Sequence, residues 1–168
     1  MAHCPDPPRV HPRGLSRRPA VREARSLCTH GARLVQSRRE AREFVLTALY
    51  RREFLPTSLD ELFEEAAPGD QRDYIERVYH GIIERQPEID AMLGERTVGW
   101  KFERLALLDR NILRLGTYEL LHCADIPGEV ALDEAVELAK KYGTEQARSF
   151  VNGILDRIWK DKGKRASE

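Results

Sequence analysis

Apolar residues recur along this chain at helical rather than strand spacing, and proline, glycine and capping residues punctuate the runs. After Ser37, a candidate N-cap, Ala41, Phe44, Val45, Ala48 and Leu49 fall at i, i+3, i+4, i+7 and i+8. That spacing predicts an amphipathic helix, terminated by Pro56. Ser58-Leu59-Asp60-Glu61 is a capping-box pattern opening a short helix to about Ala66. Pro68-Gly69 breaks the chain, and Tyr74, Ile75, Val78, Tyr79, Ile82 and Ile83 share one face of a third helix. Pro87 opens a fourth, with Ile89, Met92 and Leu93. The longest periodic stretch, Phe102 to His122, is apolar on more than one side, which predicts a central helix. Ile126-Pro127-Gly128 predicts a turn, and Val130 to Tyr142 a helix closed by Gly143 at C′. Thr144 is placed to cap a last helix reaching about Trp159. With no strand pattern and no repeat, the expectation is an all-α bundle of about seven helices over residues 37–160, followed by a polar tail, 161–168.

One stretch breaks its own pattern. Phe150, Val151, Ile154, Leu155 and Ile158 keep helical spacing, yet Asn152-Gly153 stands in their midst. Glycine costs roughly 1 kcal/mol relative to alanine in a helix interior. Either two helices approach closely there or the pair belongs to a functional surface, and spacing leaves both readings open.

Residues 1–36 carry Pro5, Pro7, Pro8, Pro12 and Pro19 among Arg, Ser and His, with little apolar periodicity. Such a segment buries too little surface to offset chain entropy and is expected to be a disordered extension. A start assigned too far upstream is the alternative, and N-terminal mass analysis of the native protein separates the two. The formal net charge of zero conceals an asymmetry: seven arginines precede residue 38 against Asp6 and Glu23 alone, and the remainder holds 21 basic and 26 acidic residues. An acidic body argues against broad, non-specific nucleic-acid binding, while leaving room for a local basic patch. Cys4, Cys28 and Cys123 are too few and scattered for a disulfide framework, so a cytoplasmic setting is expected. No apolar run has the length of a membrane span, and no secretory signal pattern opens the chain.

Motifs for catalysis are missing: no phosphate-binding loop, dinucleotide glycine fingerprint, zinc-protease signature or nucleophile elbow is present. His80 and His122 stand alone, and Cys4, His11, Cys28 and His30 match no standard zinc spacing. No enzyme activity, metal or cofactor is expected. The better signal is a basic cluster, Arg38, Arg39 and Arg42, with Arg33 just upstream. Cations at a helix N-terminus oppose the macrodipole unless an anion is bound, and arginine suits bidentate phosphate contact. A solvated helix end offset by Glu40 and Glu43 is the plainer reading. Paired with Phe150 and Asn152, however, the cluster has the parts of a single-strand RNA site (phosphate contacts, a stacking ring and a base-edge amide), while spacing leaves open whether the two regions meet.

Several blocks, in order, resemble the NusB family of bacterial antitermination factors. Arg38-Arg39-Glu40-Ala41-Arg42-Glu43 with Ala48-Leu49-Tyr50 is similar to that family's first helix. Asp109-Arg110-Asn111-Ile112-Leu113-Arg114-Leu115 through Tyr118-Glu119-Leu120 is similar to its central helix. Asp133-Glu134-Ala135-Val136-Glu137-Leu138-Ala139-Lys140, Gly143 and Phe150-Val151-Asn152-Gly153-Ile154-Leu155-Asp156 complete the resemblance, which leaves residues 1–36 outside. It implies a non-catalytic all-α protein that pairs with NusE, a small-subunit ribosomal protein. Together they would bind single-stranded boxA RNA of ribosomal RNA leaders within an RNA polymerase antitermination complex. It implies RNA contacts at Arg38, Arg39, Arg42, Phe150 and Asn152, with Lys140, and a NusE surface at Tyr50, Glu103 and Asp109. Two readings remain beside it: an accessory domain for ribosomal RNA maturation or methylation, or a scaffold that binds protein alone.

The chain departs from the family pattern twice, with Glu40 interrupting the basic run and Gln146 standing where some members carry aspartate. Removing a carboxylate near the RNA surface removes a repulsion toward phosphate. Gln146→Asp is therefore expected to weaken RNA binding in the absence of NusE, measured by filter binding; unchanged affinity would refute this.

Overall fold

The computed structural model describes residues 34–97, 99 and 101–165. The proline-rich segment up to residue 33, with Arg33 and the Cys4, His11, Cys28 and His30 set, lies outside the described residues. Among the described residues, seven α-helices follow one another: α1 (Arg38–Arg52), α2 (Leu59–Glu65), α3 (Arg72–Glu84), α4 (Gln86–Arg96), α5 (Leu107–His122), α6 (Gly128–Tyr142) and α7 (Ala147–Arg165). Single 3-10 turns occupy Gly69–Gln71 and Phe102–Arg104, and no strand occurs among the described residues.

Local chemistry sets the helix starts. Ser37 Oγ accepts the Glu40 amide at 3.2 Å, and the Glu40 carboxylate reaches back to the Gln36 amide at 2.7 Å. Glu40, which interrupts the basic run, thus satisfies a backbone donor at the first turn. The expected capping box of α2 forms, with Ser58 and Glu61 each accepting the other's amide. The described residues begin at Leu34, slightly before Ser37. Val35 is buried, and its amide donates to the Ala67 carbonyl at 2.9 Å, which stitches the entry of α1 to the loop after α2.

Helix α5 runs through the middle of the bundle, against α1, α3, α4, α6 and α7. Every residue from Asn111 to Leu120 is buried. Burial on all sides follows from its apolar girth, but it also encloses Arg114 and Glu119, whose charges must be met locally. Glu119, 1% exposed, accepts Arg42 Nε at 3.0 Å and the Tyr74 hydroxyl at 2.5 Å. Arg114 makes a fork to Asp90, both bonds at 2.7 Å, and reaches Glu53 at 3.0 Å and Asn111 Oδ1 at 2.8 Å. Glycine lets the neighbouring helices close in: a Cβ on Gly116 would lie 2.6 Å from Leu155 Cδ1 and 3.1 Å from the Ala135 methyl.

The bounds and breaks of several helices depart from the sequence expectations. The segment 102–122 is not one helix; Leu105 and Ala106 are extended between the 3-10 turn and α5. That break lets Phe102 fold beneath the Arg114 guanidinium, 5.8 Å from its ring centroid. Helix α6 begins two residues early, at Gly128. Gly143 is extended, with φ −80 and ψ 179, so it is not a left-handed cap. Its requirement is space, because a Cβ would lie 2.6 Å from both the Ala139 carbonyl oxygen and the Ala147 methyl. Helix α7 continues past Trp159 to Arg165 rather than ending in a frayed tail. Arg96 holds Asp161 at 3.0 Å, and Lys162 Nζ donates to the Leu120 carbonyl at the C-terminal end of α5 at 2.6 Å.

Replacing Glu119 with leucine would leave Arg42 and the Tyr74 hydroxyl buried without their acceptor. Glu119→Leu is expected to lower unfolding free energy by about 3–5 kcal/mol, read by denaturant titration; a loss below about 1 kcal/mol would contradict the pairing's structural role.

Candidate nucleic-acid interface

The three described arginines of the basic cluster point in different directions. Arg42 faces inward: its side chain is 4% exposed, bound to Glu119 and 3.6 Å from Glu134. Burial opposes its charge, yet Glu119, Tyr74 and Glu134 together overcome burial and raise the guanidinium's pKa. Arg42 is therefore not a surface cation, contrary to the sequence expectation; one helical turn suffices to carry a charge from rim to core. Arg38 is exposed and stacks over the Tyr74 ring at 4.2 Å, a cation–π contact on the tyrosine that also holds Glu119. Burial pushes the Tyr74 hydroxyl's pKa up, and Glu119 pushes it further.

Arg39, its side chain 61% exposed, forms a fork to Glu134 on α6, with bonds of 2.7 and 3.1 Å. The hydrogen bond from Arg39 holds the Glu134 carboxyl below the usual carboxylate range, and Arg42 adds to the effect. A groove of about 400 Å³ opens here, lined by Arg39, Glu43, Glu134, Glu137, Leu138, Lys140 and Lys141. The fold thus brings Arg39 and Lys140 together from helices far apart in sequence. No residue of α7 lines this groove; α6 supplies its second wall.

The remaining expected RNA residues follow on from that wall. The turn after α6 is anchored by Asp109, which accepts the Thr144 amide at 3.2 Å and the Thr144 hydroxyl at 2.9 Å. Thr144 thus spends its hydroxyl on Asp109 rather than on capping α7. Gln146 is exposed beyond this turn, Phe150 is half-buried against the core, and Asn152 is exposed. A Cβ on Gly153 would meet nothing within 4 Å. Close helix packing therefore does not explain Asn152-Gly153, which presents an open surface.

Of the expected partner residues, Tyr50 and Glu103 lie toward the opposite end of α1, whereas Asp109 anchors the α6–α7 turn. Tyr50, eleven residues from Arg39, lies about 16 Å along the helix axis. It is buried, but its ring meets Phe54 at a centroid distance of 5.2 Å. Phe54 and Leu55 are 61% and 66% exposed. Arg114 touches both Glu53 and Phe102, so Phe54 and the exposed Glu103, each one residue further on, flank the same region. Asp109 is buried, and burial pushes its carboxyl's pKa up against the two bonds from Thr144. It holds the α6–α7 turn and is not free at the surface. Sequence reading missed Phe54 and Leu55; two apolar residues directly before Pro56, where the helix pattern has stopped, were the available signal.

A model of the NusB family matches residues 39–160. The chain belongs to the NusB family. It is 41% identical over 125 residues to the transcription antitermination protein NusB of Bacillus subtilis, covering 74% of this chain and 95% of that protein. The T. maritima NusB structure superposes with a TM-score of 0.67 at 43% identity, covering 74% of this chain and 92% of that one. A solved complex of the antitermination factors NusB and NusE with double-stranded RNA also matches, with 30% identity, a TM-score of 0.64 and coverage of 74% and 96%. Among the described residues, no cluster of His, Cys, Asp and Glu could hold a metal ion, and no helix is long and apolar enough to cross a membrane.

For this NusB-family chain, Gly153→Ala is expected to raise unfolding free energy by about 0.5–1 kcal/mol, since the new methyl enters open space. A fall in thermal stability would show that the Asn152-Gly153 backbone is not simply an exposed helix face.

Proposed function

We propose that this NusB-family chain works in transcription antitermination in the cytoplasm, without catalysis, by binding single-stranded boxA-type RNA jointly with NusE. The observation that carries the proposal is the meeting of Arg39 and Lys140 on one groove, at the far end of α1 from the exposed Phe54-Leu55 pair. Phosphates enter the α1–α6 groove and meet Arg39 and Lys140, with Arg38 beside them. The strand then follows the turn after α6 past Gln146, so that Phe150 offers a ring and Asn152 an amide to unpaired bases. Arg42 acts from within, fixing how α1 presents its neighbours. NusE docks at the other end, over Tyr50, Phe54, Leu55 and Glu103, while Asp109 sets the turn that carries the RNA path. Residues 37–160 form the working domain in this reading. Separation of the two surfaces along α1 allows both partners to be held at once.

The test is titration of the full chain with labelled boxA RNA, single-stranded and as a duplex, with and without NusE, at two salt concentrations. The single strand is expected to bind more tightly, with further gain from NusE and a marked loss at higher salt. Arg39→Ala is expected to weaken binding by about 1–3 kcal/mol with an unchanged helical spectrum. Phe54→Asp is expected to abolish the gain from NusE and to spare RNA binding by the isolated chain. Binding of the duplex in preference to the single strand, or none of either, would overturn the proposal.

A further inference from the structure

The cations lining the α1–α6 groove are each held by a carboxylate of the same groove. Arg39 grips Glu134 at 2.7 and 3.1 Å, and Lys141 Nζ lies 2.6 Å from Glu43, which also accepts the Tyr142 hydroxyl at 2.8 Å. Lys140 lies 3.8 Å from Glu137. Three positive and three negative side chains thus cancel within a groove that has to attract phosphate.

Glu134 differs from the other two carboxylates. Its side chain is 16% exposed, set against the groove wall, whereas Arg39 stands out in solvent. Its two oxygens occupy the same guanidinium fork that a phosphate would take, because carboxylate and phosphate offer alike-spaced acceptor pairs. It also has a second cation in reach: Arg42 Nη1 lies 3.6 Å from Glu134 Oε2, on a guanidinium that Glu119 holds in place. A carboxylate with a buried alternative partner can surrender the exposed one without being left unpaired.

We propose that Glu134 is an internal competitor for the RNA phosphate, holding Arg39 in the free chain and passing to Arg42 when phosphate takes its place. The inference rests on the RNA-binding reading above and adds a determinant of affinity to it. The chain would thereby discriminate against isolated anions, since a single phosphate has to displace a preformed fork. An RNA strand that engages Lys140 and the α7 face together can do so.

The experiment measures binding of single-stranded boxA RNA to the wild-type chain, Glu134→Gln, Arg39→Ala and the double variant, by fluorescence anisotropy at fixed salt. Glu134→Gln is expected to bind roughly two- to fivefold more tightly, the scale of releasing one partly exposed ion pair. In the Arg39→Ala background the same change is expected to have little effect, because the two residues act as one unit. Weaker binding by Glu134→Gln would overturn the proposal and make Glu134 a positioning residue for Arg39. Equal tightening with and without Arg39 would also overturn it, showing only a general reduction of negative field. Thermal melts accompany each variant. Should Glu134→Gln not fold, Glu134→Asp, which keeps the charge but shortens its reach, is expected to tighten binding as well, and unchanged affinity there would count against competition. Failure of the wild-type chain to bind any RNA would sink the RNA-binding reading itself, a result distinct from wild-type binding that Glu134→Gln leaves unaltered.

Discussion

A carboxylate buried inside the bundle governs the placement of much else. Glu119 sits on a helix enclosed by five others, where an unpaired charge would be prohibitively unfavourable. Arg42 and Tyr74 satisfy it, and in doing so they fix the rotation of α1 and α3 about their axes. With Arg42 turned inward, Arg39, three residues earlier, is turned toward the edge of the same face and meets α6. Arg38 lies over Tyr74, so the exposed cations of α1 are braced by the same node that satisfies Glu119. Arg114 does the equivalent work at the middle of α5, tying α4 and the end of α1 to the centre.

This arrangement separates two kinds of arginine that look alike in one dimension. Arg38, Arg39 and Arg42 form one basic cluster by spacing, but a helix distributes them around its circumference. The same holds for the acidic residues. Glu40 closes a helix start, Glu43 and Glu134 neutralise groove cations, and Glu119 is a core residue. A groove whose charges already cancel has little long-range pull on phosphate, so in the proposed reading selectivity comes from contacts made together across α1, α6 and the start of α7.

The helices were legible because the apolar spacing of α1, α3 and α5 and the capping residues Ser37 and Ser58 act locally. The central place of α5 followed from its apolar girth. What escaped the sequence depends on distant partners. Nothing near Arg42 in the chain reveals that Glu119 lies beside it, and nothing near Asp109 reveals Thr144. The extension of α7 beyond Trp159 relies on Arg96 and on the Leu120 carbonyl, both remote in sequence. Family resemblance named Arg39 and Arg42 together, yet only the fold distinguishes Arg39 at the groove from Arg42 beneath it. Gly153 is the reverse case: local propensity marked it as anomalous, and open space around it leaves a surface role as the reading that remains.

The division between the outward and the inward arginine is the claim on which the account turns, and arginine side-chain NMR addresses it directly. The Nε–H signals of Arg39 and Arg42 would be followed while single-stranded RNA is added to the labelled chain. The Arg39 signal is expected to shift most with RNA, while that of Arg42 moves less, as Glu134 turns to it, and stays slow to exchange with solvent. A shift confined to Arg42, or an Arg39 signal indifferent to saturating RNA, would contradict it.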